Sequence, residues 1–334
     1  MERDILLKMN ISNNSKMFFE ACFVSFDIRS PSSSYIRNAK ATVVVNIVLA
    51  IAGTVLNSFV LYTFWKSRKL RSKLSSFAIM LLCSIDLGVG TVANPLFALK
   101  DISTILGSPK CLYFAAYNIA ILFFSGISGC TIFIINIERY FAIMHPFFHH
   151  VHFTKRRFVL TWVFSWFLVI VFILCLVYFP FLGVLVPVTL GIITFTSLFT
   201  YIAIFVVARK RMLNINEVHS NSDQESRRNL MVFLIRELKI AKTYVLIVSL
   251  CFLCYLPTVV VSCVESILNL SVKTSDSLVN AFDWGNTFIT LNSTLNCLIF
   301  FWGNREMRKE GSKIAKKCFH RQEDRQFELN VVQM

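Results

Sequence analysis

Charge is scarce in this chain, and the places where it is missing say the most. No Asp, Glu, Lys or Arg occurs from Phe158 to Ala208. One helix of that length would run roughly 75 Å, more than twice a bilayer core. The run therefore reads as two membrane spans, broken near Pro180, Gly183 and Pro187, residues that interrupt a helix or start a turn. Charged residues make up 16% of the chain and hydrophobic ones 55%, whereas soluble domains hold about 25% and about 45–50%. Mean hydropathy is +0.62. No strand-length alternation of apolar and polar residues appears, which argues against a β-barrel. No internal repeat appears either, which argues against a transporter built from paired halves. The N-terminal segment lacks an early apolar core, so no cleaved signal peptide is expected and the first span is expected to direct insertion.

Five further apolar runs have spanning length. Ala41–Trp65, Cys111–Ile137, Thr243–Val264 and Trp284–Trp302 carry no charge, and Phe77–Leu99 carries only Asp86. The fold class is thus an all-α membrane protein, a seven-transmembrane helix bundle. After the seventh span the chain is basic and amphipathic, with Phe301, Trp302, Met307 and Ile314 as apolar anchors; this reads as a short helix lying on the membrane surface. The expected organisation is an extracellular segment 1–40, the bundle 41–302, a membrane-surface helix 303–318 and a cytoplasmic tail 319–334.

Seven spans put the termini on opposite sides. Loop 66–73 holds five Lys or Arg, and the stretches after Arg209 and Trp302 are also basic, while the loop between spans four and five has none. The positive-inside rule then places the N-terminus outside, in the plasma membrane. The net charge of +15 follows from this asymmetry and the anionic inner leaflet; nucleic-acid binding is not implied. Sequons at Asn10, Asn13 and Asn269 fall on the outer side and are expected to be glycosylated. The sequon at Asn292 sits mid-membrane and is expected to be inert. Of ten Cys, most lie within spans as packing residues. Cys22, Cys111 and Cys263 lie at or near the outer face, where one disulfide can close among the three. Cys318, at the end of the surface helix, is a candidate for palmitoylation.

The spans contain no His, no paired acids and no metal-ligand spacing, which leaves an intramembrane enzyme without its chemistry and leaves no metal site to name. His149, His150 and His152 fall in an intracellular loop and read as solvated. At the cytoplasmic end of span three stand Glu138, Arg139 and Tyr140, followed by Phe141 to Pro146. Charged residues at a helix end are commonly interface anchors. Span six, however, opens on the same side with Arg236, Glu237 and Leu238, so Arg139 and Glu237 are placed to form a breakable ion pair.

These residues, with Asn57, Asp86 after Leu82, Trp166, Pro257 and Asn296, resemble the signature positions of the rhodopsin-like (class A) G-protein-coupled receptors, in order and across all seven spans, roughly residues 40–320. The resemblance implies a receptor with no chemistry of its own. It would bind an extracellular ligand and activate a heterotrimeric G protein as span six swings outward about Tyr255 and Pro257. Arg139 would be held at rest by Glu138 and Glu237, then released towards Tyr201 and the G protein. Asp86 is a carboxylate near mid-membrane and functional by default. With Ser128, Asn292, Ser293 and Asn296 it would form the family's sodium pocket, the one expected cofactor-like ion; the alternative is a water-filled polar network.

The chain departs from the family at several places. Tyr255 replaces the Trp before the span-six proline, Cys251 the Phe a turn earlier, Cys297 the Pro after Asn296, and Phe300 the Tyr after it; Ile193 stands at the span-five proline. The second outer loop has no Cys, so the family's usual disulfide there is impossible. A very short second outer loop and the missing proline resemble the melanocortin receptors, without their acidic trio. A scaffold that no longer signals is the alternative these changes keep open.

The family's ligand cavity maps to Phe97 in span two, to Ile121, Leu122 and Ser125 in span three, and to Thr189 in span five. Thr258, Val259 and Ser262 in span six and Asn286 and Thr290 in span seven complete it. It is apolar with hydroxyl and amide groups. Ile121 stands where amine receptors carry an aspartate, and Thr290 where a photopigment carries its lysine. Neither a monoamine nor retinal is expected; a peptide, lipid-like or purine-like ligand is. Lys100, Asp101, Glu265 and Asp283 are expected to rim the mouth as solvated charges.

Overall fold

The computed structural model describes residues 32–108, 110–179, 185–217, 224–268 and 276–316. Asn10, Asn13, Cys22, Asn269 and Cys318 lie outside the described residues, as do the side chains of Tyr201, Glu237 and Glu265. Every regular element among those described is a helix. Seven are long. Span one is Ser33–Lys66, span three Cys111–Met144, span four Lys155–Tyr178, span five Leu185–Glu217, span six Gln224–Leu268 and span seven Asp276–Gly303. Span two runs Leu74–Ile105 with a π-helical turn at Val89–Ala93 inside it. Five of the seven are apolar and long enough to cross a membrane by composition alone. The uncharged run divides where expected, with span four ending at Tyr178 and span five starting at Leu185. Pro187 falls in the first turn of span five, where its missing N–H costs nothing.

Local chemistry sets the helix ends. Ser32 and Thr154 cap spans one and four by accepting hydrogen bonds from the backbone N–H of Tyr35 and Arg157. Gly107, at φ 70°, turns the chain after span two, a conformation only glycine adopts freely. Asn304 breaks span seven from a last helix at 305–316, whose first N–H groups, those of Glu306 and Met307, donate to Asn304 Oδ1 at 3.1 and 3.2 Å. That helix is anchored by Met307, fully buried, and by Phe301, whose ring meets Phe59 at 5.8 Å. Trp302 is instead exposed. Lys73 and Glu306 pair across to it from the start of span two.

Span seven packs between spans one and six, span three between spans two, four and five. Two of the apolar clusters within the bundle bear on the site. One, towards the Arg139 end, gathers Phe64, Leu82, Ile132, Ile135, Ile247 and Phe300. The other, towards the Lys100 end, gathers Val89, Phe97, Tyr117, Ile121, Tyr255 and Ile289. Outward faces stay apolar as well: Val44, Val48, Ile51 and Val55 on span one and Phe164, Phe167 and Val171 on span four are exposed. Their helical spacing is what lipid contact demands.

Spans one, two and seven touch through glycine. A Cβ on Gly90 would stand 2.9 Å from both the backbone N and Oγ1 of Thr54. One on Gly53 would stand 3.2 Å from Thr294 Oγ1. Gly90→Ala forces these backbones apart. It is expected to destabilise the bundle by about 1–3 kcal/mol, read as a lower thermal midpoint of the purified protein; an unchanged midpoint would refute the close approach.

Candidate functional site

Three polar layers cross the apolar bundle. At one end Glu138 is fully buried and Arg139 nearly so. Arg139 Nε and Nη2 donate to the two Glu138 carboxylate oxygens at 2.5 and 2.6 Å, a bidentate, charge-assisted pair. His149, from the short helix Pro146–His152, places Nε2 2.8 Å from Glu138 Oε1. It is not a freely solvated loop residue, as expected from sequence, but the second partner of that carboxylate. Its ring stacks on Phe153 at 5.1 Å. Tyr140 packs edge-on against Phe141.

The middle layer centres on Asp86, which is fully buried. Ser128 Oγ donates to Oδ1 at 3.4 Å and Asn296 Nδ2 to Oδ2 at 3.3 Å; Ser293, buried on span seven three residues before Asn296, is a further hydroxyl of this layer. These are long contacts. Oδ1 of Asn292 and Oδ1 of Asn296 are buried with no hydrogen-bond partner among the described residues. A buried carboxylate, two hydroxyls and two idle amide oxygens form a donor set of the hard, oxygen-only kind that suits a small cation. Beside it, Trp162 Nε1 donates to Thr131 Oγ1 at 2.9 Å, joining spans four and three. Trp166 packs edge-on against Phe123 and Trp162.

The third layer differs most from expectation. Lys100, Asp101 and Asp283 are not solvated rim charges: all three are at most 3% exposed. Lys100 Nζ lies 2.5 Å from Asp283 Oδ1 and 3.0 Å from Asp101 Oδ1. Thr42 Oγ1 donates to Asp101 Oδ2 at 3.0 Å. The ammonium sits over the rings of Phe97, Tyr117 and Phe114, 4.4, 5.5 and 5.6 Å from their centroids, so cation–π attraction adds to the pairing. Span one, span two and span seven are tied together here, with span three supplying rings. A second contact set continues inward: Asn46 donates to Thr287 Oγ1 at 2.9 Å, and Thr290 donates to Asn46 Oδ1 at 3.3 Å.

Of the expected cavity residues, Phe97 and Ile121 share one cluster with Tyr255 and Tyr117. Thr258 abuts Gly285, next to Asn286. Two of the expected residues point elsewhere. Leu122 packs with Ile85, Ile127, Val169 and Ile173, between spans two, three and four. Thr290 is turned towards Asn46 of span one. Thr189 is exposed. Among the outer cysteines, Cys111 is disulfide-bonded and Cys263 is a free, exposed thiol.

The seven-helix bundle thus carries a buried Glu–Arg pair at one helix end, a buried carboxylate at its middle and a polar layer at the far end. The family model described as "7 transmembrane receptor (rhodopsin family)" matches residues 56–185. Over 294 residues, 78% of this chain and 83% of the relative, the sequence is 26% identical to "Trace amine-associated receptor 13c" of Danio rerio. Over these stretches the chain is similar to the rhodopsin-like (class A) G-protein-coupled receptors.

The ion triad makes an asymmetric prediction. Lys100→Met leaves two buried carboxylates without a counter-charge, at a cost of about 3–5 kcal/mol. Asp283→Asn leaves Lys100 paired with Asp101 and should cost far less. Surface expression and thermal midpoint of the two variants, side by side, check this; equal damage would contradict the pairing.

Proposed function

We propose that this receptor binds an extracellular ligand between the halves of spans two, three, six and seven at the Lys100 end, and activates a heterotrimeric G protein at the Arg139 end. The N-terminus lies outside in this reading, and basic loop 66–73 lies inside. The observation that carries it is the Glu138–Arg139 pair. Two nearly fully buried charges are held together at a helix end that otherwise meets water, so separating them needs a partner on the cytoplasmic side.

Activation is a two-state shift, and a ligand biases it only by binding one state better than the other. At rest, Arg139 is held by Glu138, with Glu237 of span six as a second latch. Pro257, inside span six, removes a backbone hydrogen bond and gives the bend about which its cytoplasmic half swings. Arg139 then turns towards Tyr201 and the G protein. Phe300 has no hydroxyl and is packed in the apolar cluster beside Arg139's end of the bundle, so the active state lacks the polar bridge to Tyr201 that a tyrosine there would supply. Basal activity should be set mainly by the latch. Sodium fits the Asp86 layer: Asp86, Ser128, Ser293, Asn292 and Asn296 would hold it, and its charge would stabilise the resting arrangement. Ile121 removes a span-three counter-ion and Thr290 a retinal lysine, so any ligand is held by other groups.

The test is G-protein activation in cells, wild type beside Arg139→Ala. Activity that depends on Arg139 supports the receptor reading; equal signalling by the variant would end it. Glu237→Ala should raise basal activation at unchanged surface expression, and a flat basal level would remove Glu237 from the latch. Asp86→Asn should abolish sodium dependence of agonist affinity; sodium sensitivity that survives the substitution would place the ion elsewhere.

A further inference from the structure

The Lys100 layer carries an imbalance. Two carboxylates, Asp101 and Asp283, face one ammonium, that of Lys100, at no more than 3% exposure. No second Lys or Arg pairs with either acid among the described residues. Asp101 Oδ1 lies 3.0 Å from Lys100 Nζ yet forms no aligned hydrogen bond, so it retains acceptor capacity. A net negative charge out of water is relieved either by a further cation or by a proton on one carboxylate. The surroundings suit a cation, because the faces of Phe97, Phe114 and Tyr117 already hold an ammonium.

An independent observation points the same way. Tyr117 is 1% exposed and its hydroxyl has no hydrogen-bond partner among the described residues. Its ring centroid lies 5.5 Å from Lys100 Nζ, so the hydroxyl belongs to the same layer. An orphaned hydroxyl at this level marks where a ligand's polar hydrogen would go.

We propose that the carboxylates of Asp101 and Asp283, with the Phe97–Phe114–Tyr117 rings, form the counter-ion site for an organic cation bearing an ammonium group, bound beside Lys100. The site replaces, on spans two and seven, the acid that Ile121 removes from span three. It therefore revises the expectation that amines are excluded. Lys100 acts as the resident cation that keeps the site half-neutral until the ligand enters. The inference rests on the receptor reading for the ligand's origin, and deepens it by naming the ligand's charge and contacts.

The test uses the full chain purified in lipid nanodiscs, with thermal midpoint as readout. The probes are butylammonium and 2-phenylethylammonium chloride at millimolar concentration, with butanol, 2-phenylethanol and potassium chloride as controls. The ammonium ions should raise the midpoint and the controls should not. Asp101→Asn and Asp283→Asn should weaken the apparent affinity by roughly tenfold or more, as losing a unit charge at contact distance implies. Lys100→Met, destabilised alone, should be rescued by the same ions and bind them roughly tenfold more tightly than wild type; a merely structural pair would give no such gain. If Lys100→Met yields no folded protein, the two Asn variants decide. No shift with either ammonium ion, or equal shifts in wild type and both Asn variants, overturns the proposal. A midpoint that answers to outer pH and not to ammonium also overturns it, since the balancing charge is then a proton. Arg139→Ala should keep the ammonium shift while losing signalling. Binding without G-protein activation by wild type would sink the receptor reading alone; signalling to other ligands without ammonium binding would sink this inference alone.

Discussion

An ionised group between membrane helices has no water to share its charge with, and the architecture answers to that fact. Each buried charge meets a partner, and each of the three layers reaches a second element. Glu138 answers Arg139 and His149, Asp86 answers hydroxyls and amides from spans three and seven, and Lys100 answers acids on spans two and seven. Apolar packing fills the bundle and directs its outer faces to lipid, but within a bilayer it does little to choose which helix sits beside which. The polar layers make that choice.

Those layers are separated by apolar clusters, and the separation has a mechanical meaning. Asp86 lies between Leu82 and Cys83 of one cluster and Val89 of the other. Cys251 of span six packs against both, and Pro257 stands a turn and a half further along the same helix. In the proposed shift, span six is the element that touches both clusters, past the layer that would hold the ion. Tight backbone contact among spans one, two and seven, at Gly53 and Gly90, leaves that side rigid. Span six meets spans five and seven and holds Pro257 inside it, which is why the proposed movement is assigned to it.

Much of this was legible in the residues. Absence of charge delimits spans, and Pro180, Gly183 and Pro187 mark the one break that absence cannot. The Asp86 set was legible because a carboxylate in an apolar run has few roles, and because Asn292 and Asn296 share a helix face. The ion triad was not legible. Lys100, Asp101 and Asp283 stand near helix ends, where charges are normally wet, and only the rings of span three and Thr42 of span one make that corner dry. His149 failed for the same reason: a short helix, started by Pro146, turns a loop residue back onto Glu138. Leu122 and Thr290 were assigned to the cavity by their match to the family's positions. A matched position does not fix rotation about the helix axis, and each points to a neighbouring span.

Rotation is also where the π-helical turn at Val89–Ala93 matters. Such a turn accommodates one residue more than an α-helical turn does. One residue corresponds to about 100° about the axis. Everything beyond it in span two, including Phe97, Lys100 and Asp101, is therefore turned by about that angle relative to the half that carries Asp86. Without the extra residue those two charges would swing away from Asp283 towards a neighbouring helix or lipid. Span two is for this reason the part of the chain least tolerant of a change in length: a single-codon deletion between Asp86 and Lys100 would relocate a charged site, whereas the same deletion in a loop would only shorten it.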